Sequence, residues 1–202
     1  MTDQEMDKIL RIRTEGTIEI LQSSAHYNRY EATPYSVLDA LFEIYPLRST
    51  DHLVDFGCGK GRVPIYSAYR FGCIVTGVDL NGRLLQEAFF NLAEFRATQK
   101  RFRGSIEFEQ TTAEMYEIQA RQNVFYFFNP FSVEVFQTVI HNVLESVELH
   151  KRQVDVILYY PTTAYVYFLE EQTPFERIEE LPIPALSIDN EDERILIYRY
   201  ES

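Results

Sequence analysis

Three shortages in this sequence each remove a class of function. There are only two cysteines, Cys58 and Cys73, and they fit neither a disulfide framework nor the spacing of a metal knuckle. The expectation is therefore free thiols in a reducing cytoplasm, with no residue assigned to a metal. No run of 18 apolar residues is present to span a membrane, and the opening MTDQEMDK lacks a secretory pattern, so a membrane is not expected as a partner. Positive charge is also scarce, with 19 Lys and Arg against 31 Asp and Glu and a net charge of −12. The imbalance is uneven. From Glu170 onward ten acidic residues face three basic ones, so more than half of the net charge sits in that last stretch. A nucleic acid is thus admitted as a partner but not favoured. The densest basic run, Arg96 to Arg103, falls at the end of a predicted helix, where cations suit the helix dipole. A solvated helix end is preferred there to a substrate patch.

What is present is enough apolar material for a sizeable core: 46% hydrophobic residues, including 15 Phe and 14 Tyr, in 202 residues. Met6, Ile9, Leu10 and Ile12 recur at helical spacing, which predicts helix through the first ~25 residues, weakened or split at Gly16. Residues 1–33 are read as a helical extension or lid and 34–202 as the main domain. In YEATPYSVLDALFEIYP, Thr33 can cap a helix and Pro34 can occupy its first turn. After Pro46 strands and helices alternate. Strands are predicted at 52–56, 74–79, 105–110, 123–128, 154–160, 175–180 and 194–200. Helices are predicted at about 62–71, 82–99, 132–149 and 163–171. Short apolar strands alternating with amphipathic helices predict an α/β fold with a mainly parallel sheet covered on both faces. No helix separates the last two strands, so they should pair antiparallel.

The stretch LVDFGCGKGR joins the first strand to the following helix. Its glycines, Gly57, Gly59 and Gly61, let the chain turn sharply and let a ligand approach the backbone. A phosphate-binding Walker loop fails, because Lys60 precedes Gly61 and Arg62 follows it. The dinucleotide fingerprint fails too, since its third glycine would fall at Arg62. The spacing is G-x-G-x-G with Asp55 two residues upstream, and a carboxylate there suits a positively charged ligand. Asp79 ends the second strand 22 residues after Gly57, a separation suited to ribose hydroxyls. Capping of the next helix is its alternative role, although Asn81 can do that too.

VDFGCGKG together with GVDLN resembles motifs I and II of the class I S-adenosylmethionine-dependent methyltransferases, over about residues 34–200. The resemblance implies a Rossmann-like seven-stranded sheet ordered 3-2-1-4-5-7-6, with strand 7 antiparallel, and S-adenosylmethionine as cofactor. It implies Asp55 near the methionyl amine, Gly57, Cys58, Gly59 and Gly61 along the cofactor, and Asp79 with Leu80 at the ribose. Ala113 and Glu114 would lie near the adenine, where Thr112 replaces the Asp many members carry. Asn129-Pro130-Phe131, after the fourth strand, resembles the (Asp/Asn)-Pro-Pro-(Tyr/Phe) motif of amino-group methyltransferases, with one proline missing. It implies Asn129 and a neighbouring carbonyl as acceptors for an amine, with Phe131 stacking on it. Thr33-Pro34 is similar to the Thr-Pro placed beside the cofactor carboxylate in N6-adenine and related enzymes. His26, Tyr27, Arg29 and Tyr30 precede it, where such enzymes close over the cofactor.

The reading is methyl transfer to an unidentified acceptor, a nitrogen being suggested, on a small molecule or protein. A nucleic-acid base amine and a SAM-binding module without chemistry are the alternatives, and a nicotinamide oxidoreductase is disfavoured by Arg62. YYPTTAYVYF, Tyr159 to Phe168, is read as packing that also lines the acceptor pocket.

Overall fold

The computed structural model describes residues 2–16, 28, 30–183, 190 and 192–202. His26, Tyr27 and Arg29 lie outside the described residues. Helix α1 covers Asp3–Leu10 and α2 covers Tyr35–Ile44. The alternating part then runs β1 (His52–Phe56), α3 (Arg62–Phe71), β2 (Ile74–Asp79), α4 (Gly82–Thr98), β3 (Ser105–Gln110) and a one-turn 3₁₀ helix (Ala113–Met115). It continues with β4 (Val124–Phe128), α5 (Val133–Leu149), β5 (Val154–Tyr159), α6 (Thr163–Gln172), β6 (Glu176–Pro182) and β7 (Arg194–Tyr200).

The seven strands form one sheet in the order β3-β2-β1-β4-β5-β7-β6. All neighbours are parallel except β7, which pairs antiparallel with both β5 and β6. The central strands β4 and β5, VFYFF and VDVILY, are buried almost throughout, as expected for parallel strands covered on both faces. Side chains of odd and even positions therefore enter two different cores. Leu53, Val75, Tyr126, Ile157 and Ile195 pack with α1, α2, α3 and α4 residues such as Leu10, Leu41, Ile65 and Phe95. Val54, Phe56, Phe125, Phe127 and Val156 pack on the other face with Phe136, Val139 and Val143 of α5 and Phe168 of α6. Asp155 is the polar intruder in β5, held by Tyr45 Oη at 2.5 Å and by both Arg199 nitrogens at 2.8 Å. Among the described residues no helix is long and apolar enough to cross a membrane.

Two local expectations need correcting. The first helix ends at Leu10, well before Gly16, because Arg11 turns left-handed (φ +60°) and its N–H closes back on the Asp7 and Lys8 carbonyls. Residues 17–27 of the expected helix lie outside the described residues. In the described part, Met6, Leu10 and Ile12 are buried in the same core as Val37 and Tyr66. Thr33 does not cap α2 either. Pro34 takes the cap position, and the first free amide, Tyr35 N–H, donates to Asp3 Oδ1 at 3.1 Å. Helix packing has thus supplied from α1 the cap that local sequence offered from Thr33. Asn81, by contrast, caps α4 as anticipated, accepting from Arg83 and Leu84 N–H.

Candidate functional site

The loop from Gly57 to Gly61 leaves the carboxyl end of β1 beside the carboxyl ends of β2 and β4. Gly57 and Cys58 N–H both donate to Val78 C=O (2.8 and 3.1 Å), tying the loop to β2. Gly57, Gly59 and Gly61 all have left-handed backbones, with φ of +82°, +53° and +85°. The space a Cβ would need at each is taken by the chain itself. It would lie 2.6 Å from Pro130 at Gly57, 2.0 Å from the Tyr30 ring at Gly59 and 2.7 Å from Phe108 at Gly61. The bare backbone thus lets other segments of the protein close in on the loop, not a ligand alone.

Asp79 caps nothing in α4. Its Oδ2 accepts Gly59 N–H and its Oδ1 accepts Asn81 N–H, each at 2.8 Å. Burial raises its carboxyl above the ordinary range, against the lowering effect of those two N–H donors. Asp55 is more extreme. It is 4% exposed, and no described residue donates a hydrogen bond to its carboxyl. Burial, then the charge of Asp79, push its pKa well above 3.8. Cys58, also buried, is raised by the same burial and the same two acids. Asp55 and Asp79 thus make an acidic pair at the carboxyl ends of β1 and β2, which a bound cation would offset.

Tyr126 was not singled out in the sequence, yet it pairs in register with Asp55 across β1 and β4. Its hydroxyl is 3.0 Å from Thr33 Oγ1, and Asp55 is near enough to raise it further above the level set by burial. Two hydroxyls sharing one hydrogen bond have a second proton to donate. The strand period was the available signal, since Tyr126 sits among aromatics that alternate between the two cores.

Arg62 entered the sequence reading only as the wrong residue for a dinucleotide. In the fold it is 3% exposed and joins α3 to the N-terminal segment. Its Nε donates to Thr14 Oγ1 (2.6 Å), its Nη1 donates to Thr33 C=O (3.0 Å) and pairs with Asp3, and its guanidinium lies over the Tyr35 ring (4.5 Å). Thr14 in turn bonds Asp7 through N–H and hydroxyl, and its carbonyl accepts Tyr30 Oη–H at 2.7 Å. Tyr30 and Thr33 are therefore set over the glycine loop by a buried polar network.

At the end of β4, Asn129 is left-handed (φ +39°), and its Oδ1 is buried without a hydrogen-bond partner. Tyr160 follows β5 in the neighbouring register and is left-handed too (φ +53°); each residue precedes a proline. Strained non-glycine backbones of this kind gather at functional sites. The main-chain carbonyls of Asn129 and Pro130 are engaged: Asn28 donates to the first through Nδ2 (2.7 Å) and to the second through N–H (3.0 Å). Phe131 does not offer the stacking face expected of it. Its ring is 2% exposed and set edge-on to Phe127 at 6.0 Å, because its carbonyl is anchored by Tyr165 Oη–H at 2.6 Å. Half-buried Phe128, with Tyr159 at 4.5 Å and Tyr160 at 6.5 Å, forms the aromatic wall instead.

The loop after β3 reaches the site through Thr111 N–H, which donates to Asp79 C=O at 3.3 Å. Ala113 is buried and Glu114 half-buried, its carbonyl accepting from Asn142 Nδ2. Leu80 and Met115 expose 43% and 78% of their surfaces, apolar area that a flat ring can cover.

No protein-family model matches the chain, and no curated protein matches its sequence. Solved structures do match in fold. An RNA methyltransferase from Salinibacter ruber, in complex with S-adenosyl-L-homocysteine, aligns over 85% of this chain and 93% of its own, with 19% identity and a TM-score of 0.54. A human methyltransferase 10 domain containing protein aligns over 99% and 94% at 10% identity, with a TM-score of 0.62. A SAM-dependent methyltransferase from Methanosarcina mazei covers 80% and 96% at 15% identity, with a TM-score of 0.60. The chain has the fold of class I S-adenosylmethionine-dependent methyltransferases. In this methyltransferase fold the glycine loop, Asp55, Asp79 and the Asn129 turn lie together at the carboxyl edge of the sheet, where open α/β sheets bind ligands. The residues present fit the methyl donor chemically, since the buried Asp55 carboxyl suits a cationic group and the adjacent hydroxyls of Thr33 and Tyr126 suit an anionic one.

Proposed function

We propose that this protein transfers a methyl group from S-adenosylmethionine to a nitrogen. The observation that carries the reading is the buried carboxyl of Asp55, to which no described residue donates a hydrogen bond, beside Asp79 and the glycine loop. The donor supplies an electrophilic methyl on a sulfonium. Asp55 balances its amino end, Asp79 takes the ribose hydroxyls once they displace Gly59 N–H, and the Thr33 and Tyr126 hydroxyls meet its carboxylate. Leu80, with Ala113 and Glu114, borders the adenine. The partnerless Oδ1 of Asn129 accepts an N–H from the acceptor and turns the nitrogen lone pair toward the methyl, while Phe128 supports a planar group. Methyl transfer of this kind depends on in-line positioning in a dry site more than on acid or base help.

Calorimetry with S-adenosylhomocysteine tests the donor site. Asp79→Ala is expected to weaken binding roughly tenfold or more, on the order of 1.4 kcal/mol; an unchanged affinity removes the ribose assignment. Asn129→Ala is expected to keep that affinity while slowing methylation of amines by roughly 10²-fold, the scale of a lost orientation. Full turnover in the variant removes the acceptor role.

A further inference from the structure

A second site lies away from the donor loop, where the end of α1 meets the middle of α4. A cleft of about 490 Å³ opens there, lined among others by Lys8, Arg11, Arg13, Glu15, Phe90 and Glu94. That volume is within the range of small-ligand sites. Two features of its lining have no partner among the described residues. Phe90 is 60% exposed and touches no other ring among the described residues, whereas its neighbour Phe89 packs edge-on against Phe108 at 5.5 Å. Lys8, Arg11 and Arg13 make no side-chain hydrogen bond or ion pair with any described residue. Several other cations of this acidic protein, among them Arg48, Lys60, Arg62, Arg70 and Arg199, are paired.

Arg11 adds an independent observation. It occupies the left-handed residue that ends α1, a position glycine fills without strain, and an arginine there costs on the order of 1 kcal/mol. The side chain obtained at that cost has no partner among the described residues. Arg13 is fixed from the other side, because Asn91, itself 2% exposed, accepts from its N–H (2.9 Å) and donates to its carbonyl (3.1 Å). A third contact from Asn91, to Lys60 C=O at 3.0 Å, joins this wall to the glycine loop. The cations are thus held on a rigid base before any ligand arrives.

We propose that this cleft binds a nucleotide unit of single-stranded nucleic acid, with the base against Phe90 and the phosphates on Lys8, Arg11 and Arg13. An exposed aromatic face flanked by unpaired cations is the arrangement that takes a base and its phosphates together. Glu15 and Glu94 are the rim acceptors for an exocyclic base amine, as on cytosine. Just past the end of α4, Lys100, Arg101 and Arg103 add further positive charge. The site stands whether or not the methyl-transfer reading does.

The test uses the full chain with a fluorescein-labelled cytidine decamer (RNA) in fluorescence anisotropy, at several salt concentrations. Binding is expected to weaken with salt at a log–log slope of about −2, the value for roughly three phosphates on a single strand. Phe90→Ser is expected to weaken it about tenfold or more, the scale of one stacked base. Arg11→Gly is expected to weaken it several-fold while leaving thermal stability equal or higher, because glycine relieves the left-handed strain. Both variants should keep wild-type affinity for S-adenosylhomocysteine in calorimetry. Cytidine monophosphate competing about as well as the decamer identifies a free nucleotide as the occupant, and competing about 10²-fold less well identifies a strand. No decamer binding at low salt, or binding that neither substitution alters, overturns the proposal. Equal displacement by polyglutamate also overturns it, since charge alone would then account for binding.

Discussion

Asp55→Asn is expected to make the ligand-free protein more stable and to abolish most of its affinity for the methyl donor. The native carboxyl is buried beside a second acid and has a pKa well above 3.8. A carboxyl whose folded pKa exceeds its unfolded one contributes most below the unfolded value, and stability is lost as pH rises toward the folded pKa. Asparagine keeps the shape and never ionises. Wild type and variant should therefore match near pH 3, with the variant ahead by about 2 kcal/mol at pH 8, the scale of an uncompensated buried polar group. For a chain of this size that is roughly 4–8 °C in Tm. Affinity for S-adenosylhomocysteine should fall by about 10²-fold, since one member of a buried charge pair is gone. Calorimetry in buffers of different ionisation enthalpy should show proton release on binding in the wild type and less in the variant. Asp79 titrates in the same pocket, so the measured midpoints belong to the pair. Equal stability across the pH range would show that Asp55 bears no such burden.

Arg62→Ala is the second large effect, in the opposite direction. Its loss leaves Thr33 C=O and Thr14 Oγ1 without their donor and removes the partner of Asp3, all around a side chain that is 3% exposed. Breaking a buried charged network from one side costs about 3–5 kcal/mol, which is roughly 10 °C in Tm. Urea unfolding checks it, and Arg62→Lys should recover part of the loss by keeping the charge. Because Thr33 and Tyr30 hang from this network, the alanine variant should also bind S-adenosylhomocysteine more weakly at temperatures where it is folded.

The strands are legible in the sequence to within two residues, as is the closing hairpin, because short apolar runs bounded by Gly, Pro and Asp leave little choice of register. The sheet order came through the resemblance of the glycine loop and GVDLN, and periodicity alone could not have supplied it. The placement of Asp55 and Asp79 beside the glycine loop was legible because strand ends and loop spacing are local properties. What escaped were pairings made across the fold. Thr33 offered itself as a local cap but was drawn to Tyr126, 93 positions away. Arg62 looked like a mere departure from a glycine pattern, since its partners Asp3, Thr14 and Thr33 lie far upstream. Phe131 was assigned a stacking role by its motif, whereas the Tyr165 hydroxyl pins its backbone and buries the ring.

The three glycines of the loop carry one more consequence, which concerns how this chain can change over time. Each faces a particular side chain from elsewhere: Pro130 across from Gly57, Tyr30 across from Gly59 and Phe108 across from Gly61. Positions 30 and 59 should accordingly drift as a couple, a smaller residue at 30 having to arrive before anything but glycine is tolerated at 59. Likewise 57 is tied to 130, and 61 to 108. The loop that reads as a ligand motif is thereby also tied to three distant side chains, which constrains the order of substitutions as well as their identity.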